Sequence, residues 1–158
     1  MMMTLDDKEN SSQRTISFFI GQHQALDNFA AFSVEWNGIL WPTLEHAYQA
    51  AKFEDNSIIQ RIQKARSPYE AKSIVREKEL ASKVSPDWNS RKVATMKALM
   101  QCKVSQHSLI KEILLGTQKA RLVENSPFDS FWGIGPDGDG KNMIGLLWME
   151  IRDELCLV

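Results

Sequence analysis

The dipeptide Asn37-Gly38 constrains the fold of this chain more than any other feature of its sequence. It separates two short runs, residues 32–36 and 39–41, and the first of these alternates apolar with polar side chains. Asn and Gly both tolerate positive φ, which the tightest two-residue hairpins require. We therefore predict a β-hairpin at this place. Pro42-Thr43 follows at once, and a threonine there predicts the capped start of a helix.

Outside the hairpin, helical patterns outnumber strand patterns. An apolar run at residues 16–20 predicts an early strand, and residues 121–124 predict a late one. Apolar spacing and capping signals predict six helices, at residues 43–53, 57–65, 68–83, 88–103, 108–115 and 142–155. Gly116 is expected to end the fifth helix in the left-handed conformation. The predicted fold class is α+β, mostly helical, with a small antiparallel sheet formed early and late in the chain.

The length and charge of the chain limit what it can be. Its 158 residues predict a single domain over residues 15–158, preceded by a polar, disordered tail at residues 1–14. The net charge of −1 shows no basic excess, so any contact with nucleic acid would be local. Cys102 and Cys156 stand far apart, which is typical of reduced thiols. Without a signal peptide or an apolar span, we predict a cytoplasmic protein that does not contact the membrane.

One face of the helix predicted at residues 43–53 carries three polar residues at helical spacing. Glu45, Gln49 and Lys52 stand at i, i+4 and i+7, which places a carboxylate, an amide and an amine in line. Such a row can act on one small substrate. It is also typical of a solvated helix face, and by spacing alone the solvated face is the commoner case. His46 lies beside this row without metal-site spacing, so we expect it to be structural.

The segment 129–142, rich in glycine and aspartate, is the second candidate for chemistry. Gly133 to Gly138 match the pattern of a dinucleotide loop, but no β-α-β unit surrounds them. A calcium loop fails as well, because its twelfth position would be Trp148 rather than glutamate. A plain turn and a ligand loop are equally compatible with the composition. In a ligand loop, backbone amides would bind an anion and Trp132 would stack on a base.

Taken together, these segments resemble the NADAR family over about residues 16–155. The resemblance rests on Asn28-Phe29, the run 41–53 with its EHxxQxxK pattern, Trp88, Lys92, Met96, Lys103, residues 122–124, the DxxWGxG…GxNxxG pattern of residues 129–145, and Arg152. The chain departs from the family at Asp27, where serine is frequent, and at Val104, where phenylalanine is frequent. It also departs at Ile134, where some riboflavin-type members carry an acidic residue.

The resemblance implies an N-glycosidase that hydrolyses the C–N bond between ribose and an amino group of a base. Its substrate would be a ribosylaminopyrimidine 5′-phosphate, an intermediate of riboflavin synthesis. Three alternatives stay open: removal of ADP-ribose from guanine in nucleic acid, non-catalytic binding of ADP-ribose or NAD, and a purely structural role. The expected partner is thus a small nucleotide-like molecule or ADP-ribosylated nucleic acid. We expect neither a cofactor nor a metal, and the sequence carries no signal for an oligomeric state.

The shared helix face and the resemblance together nominate the residues of the site. A ribose on an exocyclic amine can open to an imine, into which a lysine amine can exchange. We therefore expect Lys52 to attack the anomeric carbon and Glu45 to move protons; without a covalent adduct, Glu45 would activate water. Asp129 is the third catalytic candidate, and it fits a role in holding its loop as well. The predicted substrate-binding residues are Asn28, Gln49, Trp88, Trp132, Gly133 and Asn142.

Overall fold

The structure is a computed structural model and describes residues 13–157. Its strands are β1 (Thr15–Ser17), β2 (Val34–Trp36), β3 (Ile39–Trp41) and β4 (Arg121–Val123). Its α-helices are α1 (Leu44–Ala50), α2 (Asn56–Gln63), α3 (Pro68–Val75), α4 (Trp88–Gln106), α5 (Ser108–Gly116) and α6 (Met143–Cys156). Among these helices none has the length and apolar character needed to cross a membrane. The predicted tail lies outside the described residues, except for residues 13 and 14.

The hairpin predicted at Asn37-Gly38 is confirmed. Strands β2 and β3 pair antiparallel, with Val34 opposite Trp41. Asn37 and Gly38 have φ angles of 51° and 76°, the left-handed conformation that a two-residue turn of this kind needs. The second strand passes directly into α1, whose first turn is capped by the Thr43 side chain as predicted. The local signals of the sequence thus place α1 within a few residues of the hairpin.

The mostly helical α+β fold is confirmed, and one detail of strand pairing differs from the prediction. Within residues 13–157, antiparallel pairing is confined to the hairpin. The early strand β1 and the late strand β4 do pair with each other, but in parallel, with Ile16 opposite Leu122. The connection between them contains the hairpin and five helices, and so long a connection can return the chain in either direction. The pair brings the segments that follow the two strands side by side.

Several helix ends differ from the sequence prediction: α1 ends at Ala50 rather than at residue 53, α2 at Gln63 rather than at residue 65, and α4 continues to Gln106 rather than ending at residue 103. The third helix ends at Val75 rather than at residue 83, because Glu77 adopts an extended conformation with ψ of 133°. Residues Lys78–Lys83 form a 3₁₀ turn without a buried side chain, so tertiary packing does not stabilise a longer helix there. Gly116 remains helical, and the left-handed residue at this corner is Gln118, with φ of 53°.

Helix α1 is buried along its whole length, and it packs against α2, α3 and α4. The burial includes its polar residues Glu45, His46 and Gln49, so the solvated-face alternative is wrong. His46 is structural, as expected: its Nδ1 lies 2.8 Å from the Thr43 hydroxyl and its Nε2 lies 3.1 Å from the Ala65 carbonyl oxygen. A carboxylate and an amide in the core require a chemical explanation, because such groups are rarely buried without a partner.

Candidate active site

Glu45 and Gln49 form the buried polar face of α1. Glu45 is 5% exposed and Gln49 is 4% exposed. Gln49 Nε2 donates a hydrogen bond to Glu45 Oε1 at 2.6 Å, and the Glu45 amide donates to the Asn28 carbonyl at 3.2 Å. Burial raises the pKa of Glu45, while the Gln49 hydrogen bond and the charges of Lys72 and Lys52 oppose the shift. A carboxyl group with a raised pKa can donate as well as accept a proton in catalysis.

Lys52 follows the last turn of α1, and its amine lies among aromatic rings. Its Nζ is 5.3 Å from the ring centroid of Tyr48 and 6.0 Å from that of Trp88. Burial lowers the pKa of Lys52; the carboxylate of Glu45 opposes this shift, and the charge of Lys72 adds to it. More of the amine is therefore neutral than in a free lysine. The neutral amine is the form that attacks an electrophilic carbon.

Four aromatic side chains, here called the aromatic wall, stand next to this amine. The ring of Tyr48 lies 5.3 Å from Trp88 and 5.6 Å from Trp132, between ring centroids, and Phe131 lies 4.8 Å from Trp132. Trp88 is buried and Trp132 is half-buried. The sequence nominated the two tryptophans. It missed Tyr48, which fits the apolar stripe of α1, and Phe131, which precedes the Trp-Gly pattern without a signal of its own.

Asp129 is the first residue of the loop that carries Trp132, and its side chain stabilises the backbone of the residues that follow it. Its Oδ1 accepts hydrogen bonds from the backbone amides of Phe131 at 2.9 Å and of Trp132 at 2.7 Å. Such a turn fixes the backbone two and three residues after the aspartate. The geometry thus agrees with the loop-holding role considered for Asp129, whereas its catalytic role stays a prediction.

Several backbone amides of the loop 129–142 donate hydrogen bonds to carbonyl groups of the protein. The Ile134 amide donates to the Glu124 carbonyl, the Gly140 amide to Ile134 and the Asn142 amide to Gly133. The first two amides of α6, those of residues 143 and 144, donate to the carbonyls of residues 131 and 132. These amides are therefore not free to bind an anion, which the ligand-loop alternative required. We therefore do not assign an anionic substrate group to the start of α6.

Gly133 and Asn142 fasten this loop to β4. A Cβ atom on Gly133 would stand 2.7 Å from the Glu124 carbonyl oxygen, so only glycine allows the approach. Asn142 Oδ1 accepts from the Glu124 amide at 2.8 Å, and its Nδ2 donates to the Leu122 carbonyl at 2.9 Å. Asn142 holds this position with a φ of 53°. Both residues act inside the protein here, and their predicted contact with substrate stays a prediction.

The structure adds a carboxyl pair, Asp27 and Glu124, that the sequence analysis did not nominate. The two side chains are buried and hydrogen-bonded to each other. Burial raises the pKa of both groups, and the negative charge of Asp27 raises that of Glu124 further. The pair therefore retains a proton, because two adjacent buried carboxylates repel each other. Asp27 precedes Asn28, whose carbonyl binds α1, so the pair borders the Glu45 site.

Lys103 lies beside this pair and is the most deeply buried cation of the region. Its Nζ donates to the Asp27 carbonyl oxygen at 2.9 Å, and burial lowers its pKa to about 8. The sequence held a signal for it: Met96, Leu99, Met100 and Lys103 share one side of α4, so the lysine stands on an apolar stripe. A comparable signal for Asp27 and Glu124 is absent from the sequence, because these residues stand 97 positions apart and meet only in the folded chain.

Comparison with known proteins agrees with the fold. The NADAR domain model matches residues 8–156. The N-glycosidase YbiA of Escherichia coli (strain K12) is 37% identical over 132 residues, which cover 84% of this chain and 81% of the relative. The riboflavin biosynthesis protein PYRR, chloroplastic, of Zea mays is 40% identical over 144 residues, covering 83% of this chain and 23% of the relative. The NMR structure of E. coli YbiA superposes with a TM-score of 0.83 at 34% identity, covering 92% of this chain and 86% of that one. The chain therefore belongs to the NADAR domain family.

Proposed function

We propose that this chain hydrolyses the C–N bond between ribose and an amino group of the base in a ribosylaminopyrimidine 5′-phosphate. As a NADAR-family chain 37% identical to a named N-glycosidase, it is an N-glycosidase; the substrate is the part that we propose. The observation that carries the proposal is the pairing of a buried carboxyl group with a half-buried amine, Glu45 and Lys52, beside the aromatic wall. The riboflavin biosynthesis relative supports the choice of substrate.

The proposed reaction begins with opening of the ribose ring. The amino nitrogen loses a proton, O4′ gains one, and a C=N bond forms to C1′; Glu45 carries that proton. The Lys52 amine then adds to C1′, and the base leaves as a free amine with the proton that Lys52 gives up. Water adds to the remaining lysine imine and releases ribose 5-phosphate, so one water is consumed. In the direct alternative, Glu45 activates water and stabilises positive charge on the sugar.

The substrate phosphate is assigned to lysine side chains, since the amides at the start of α6 are occupied. Lys92 Nζ lies 4.2 Å from the ring centroid of Phe131, and Lys141 Nζ lies 5.4 Å from it. The two lysines come from α4 and from the loop, and both amines lie near the Phe131 ring of the aromatic wall. Neither makes an ion pair with a carboxylate in the part of the chain that the structure describes. They are therefore available to a phosphate group.

A second candidate, removal of ADP-ribose from guanine in nucleic acid, has one observation in its favour. Tyr69 is 73% exposed, and its ring meets the edge of Phe29 at 4.8 Å. Lys72 Nζ lies 5.7 Å from the Phe29 ring, and the charge of Lys72 acts on both Glu45 and Lys52. An exposed aromatic ring next to a cation suits an additional stacked base of a longer substrate.

Mass spectrometry of the products from two substrates tests the proposal. One substrate is the ribosylaminopyrimidine 5′-phosphate, and the other is a short oligonucleotide that carries ADP-ribosyl guanine. Release of ribose 5-phosphate from the first alone, lost in Glu45→Gln, supports the proposal. Release of ADP-ribose from the second alone supports the second candidate. If neither is cleaved and ADP-ribose raises the melting temperature while staying intact, the chain is a binding module.

Borohydride trapping tests the covalent route. Reduction of the lysine imine during turnover is expected to leave a ribosyl adduct on Lys52, visible in a tryptic peptide. Lys52→Arg serves as the matched control, because it keeps the charge and cannot form the imine at that position. Continued turnover without any adduct at Lys52 would favour direct attack by water.

A further inference from the structure

Hydrogen-bonding capacity that the protein leaves unused is concentrated around the Glu45 site. In the part of the chain that the structure describes, five buried side-chain atoms lack a hydrogen-bond partner. They are Asn28 Oδ1, Trp41 Nε1, Gln49 Oε1, Ser85 Oγ and Glu124 Oε1. All but Trp41 belong to residues of this site or to a direct neighbour, since the Ser85 amide donates to the Lys52 carbonyl at 2.8 Å. Native proteins seldom leave such atoms unpaired, so their concentration in one place calls for a ligand or ordered water.

Three of these oxygens, here called the acceptor band, belong to residues grouped around Glu45: those of Asn28, Gln49 and Glu124. Glu45 links Gln49 to Asn28, because its carboxylate accepts a hydrogen bond from the Gln49 side chain and its backbone amide donates one to the Asn28 carbonyl. The neighbouring Asp27 is hydrogen-bonded to Glu124. Each of the three residues is at most 5% exposed. Only a ligand group that is itself almost completely buried can reach oxygens at this depth.

The acceptor band has a single chemical character. The Gln49 amide nitrogen is engaged with Glu45, and the Asn28 amide nitrogen points at Met96 Sδ at 3.4 Å. In both side-chain amides the NH₂ group has a partner within the protein, whereas the oxygen has none. Glu124 contributes a third oxygen, from a carboxyl group that shares its proton with Asp27. Acceptors bind hydroxyl or amino groups and repel phosphate, so the band and the lysines at Phe131 select opposite ends of one substrate.

We propose that the acceptor band of Asn28, Gln49 and Glu124 binds the hydroxyl groups of the ribose ring and so holds C1′ between Glu45 and Lys52. The inference rests on the proposed function, because it presumes an N-ribosyl substrate. Hydroxyl groups of ribose and amino groups of the base share the required donor chemistry. Ribose is the better match, because the band adjoins the two groups that act on C1′. In this arrangement Asp27 is a positioning residue, which accepts a hydrogen bond from the protonated carboxyl group of Glu124.

The test compares kcat/KM for a ribosyl substrate and its 3′-deoxy and 2′-deoxy analogues, in wild type and in Glu124→Met. The wild type is expected to prefer the ribosyl substrate over at least one analogue by about tenfold, the value of one buried hydrogen bond. Glu124→Met removes the acceptor at similar volume and is expected to lose that preference, because only the ribosyl substrate slows. Comparing the two enzymes on each substrate cancels the intrinsic reactivity of the analogues.

Two further variants keep the test decisive if Glu124→Met folds poorly. Glu124→Gln retains an acceptor oxygen and is expected to keep the preference, whereas Asn28→Leu is expected to reduce it. Trp41→Phe removes an unpaired buried atom outside the band and serves as the matched control, with an unchanged preference. Melting temperatures report which variants are folded.

The outcomes separate this inference from the proposed function. Cleavage of all three substrates with equal efficiency by wild type, or equal losses on all of them in the variants, would overturn the ribose assignment and leave ordered water in the band. A substrate whose base lacks one amino group tests the other donor. If Glu124→Met no longer affects the cleavage of this substrate, the band binds the base and the ribose assignment is overturned. Failure of the wild type to cleave any N-ribosyl substrate would instead contradict the proposed function.

Discussion

Helix α1 and the loop 129–142 both carry the polar residues that the sequence singled out, but they differ in how completely those residues are bonded. On α1, Glu45 is buried with one hydrogen-bonded neighbour, and Gln49 keeps an oxygen without a partner. In the loop, Asn142 uses both polar atoms of its side chain on the backbone of β4, and Asp129 accepts two amides. Gln49 on α1 thus has capacity left for a ligand, whereas Asn142 and the Oδ1 atom of Asp129 are bonded within the protein.

This difference distinguishes residues that act on a substrate from residues that stabilise the fold of the site. A polar side chain whose hydrogen bonds all lie within the protein stabilises the local structure, and its removal mainly lowers the free energy of unfolding. A buried group with unused capacity or a shifted pKa is held at a cost to stability, which is typical of functional sites. The loop therefore presents Phe131 and Trp132 of the aromatic wall, while α1 and the turn that follows it supply the reacting groups Glu45 and Lys52.

The largest effect is expected from removing the acid on α1. Glu45→Gln should lower kcat/KM by about 10²- to 10⁴-fold, the usual contribution of a proton-transferring group. Its melting temperature should stay equal or rise, because an amide replaces a buried carboxyl group. Steady-state kinetics and thermal unfolding of the same preparations measure both, with Glu35→Gln on the exposed face of β2 as the control. Loss of stability in parallel with activity would place Glu45 among the supporting residues.

A loop variant is expected to show the opposite behaviour. Asn142→Ala should lower the free energy of unfolding by about 2–4 kcal/mol, because it strands the Glu124 amide and the Leu122 carbonyl. Urea unfolding measures this change. The kcat of the folded variant should remain within a few-fold of wild type. Gln118→Ala, exposed and at the same φ of 53°, reports what alanine costs in that conformation alone. A large loss of kcat in a stable Asn142 variant would contradict the division between the two regions.

The pH dependence of stability is expected to reveal the carboxyl pair that joins the two regions. The folded-state pKa of Glu124 is raised, so the folded chain binds more protons than the unfolded chain above about pH 4.5. The free energy of unfolding should therefore fall as pH rises from that value. Glu124→Gln should make the dependence shallower, by at most about 1.4 kcal/mol per pH unit. Urea unfolding between pH 5 and pH 8 measures both slopes, and identical slopes would show that Glu124 is ionised in the folded state.

The smallest effect is expected at Asp129, where two substitutions distinguish support from catalysis. Asp129→Asn retains the oxygen that accepts both amides, so KM should change by no more than about threefold. Asp129→Ala releases the Trp132 backbone and should raise KM by about tenfold, the value of one or two hydrogen bonds. Equal losses of kcat in both variants would instead assign Asp129 a catalytic carboxylate, as the sequence analysis proposed.

Much of the fold could be predicted because its signals are local. Positive φ at Asn37 and Gly38 and the cap at Thr43 act within a few residues, and the structure follows them. The end of α3 at Val75 could not be predicted from a capping signal at its start. Helix length depends on whether a neighbouring element covers the next turn, and residues 78–83 have no buried side chain.

By itself the sequence determined the hairpin, the order of the helices and the row of Glu45, Gln49 and Lys52, because backbone preference and helical spacing are properties of neighbouring residues. Only the tertiary structure decided that this row is buried, that β1 and β4 run parallel, and that Asp27 meets Glu124. Burial and contact between distant segments depend on the packing of the whole chain. The groups with shifted pKa values and unpaired oxygens, on which the chemistry depends, arise from that packing.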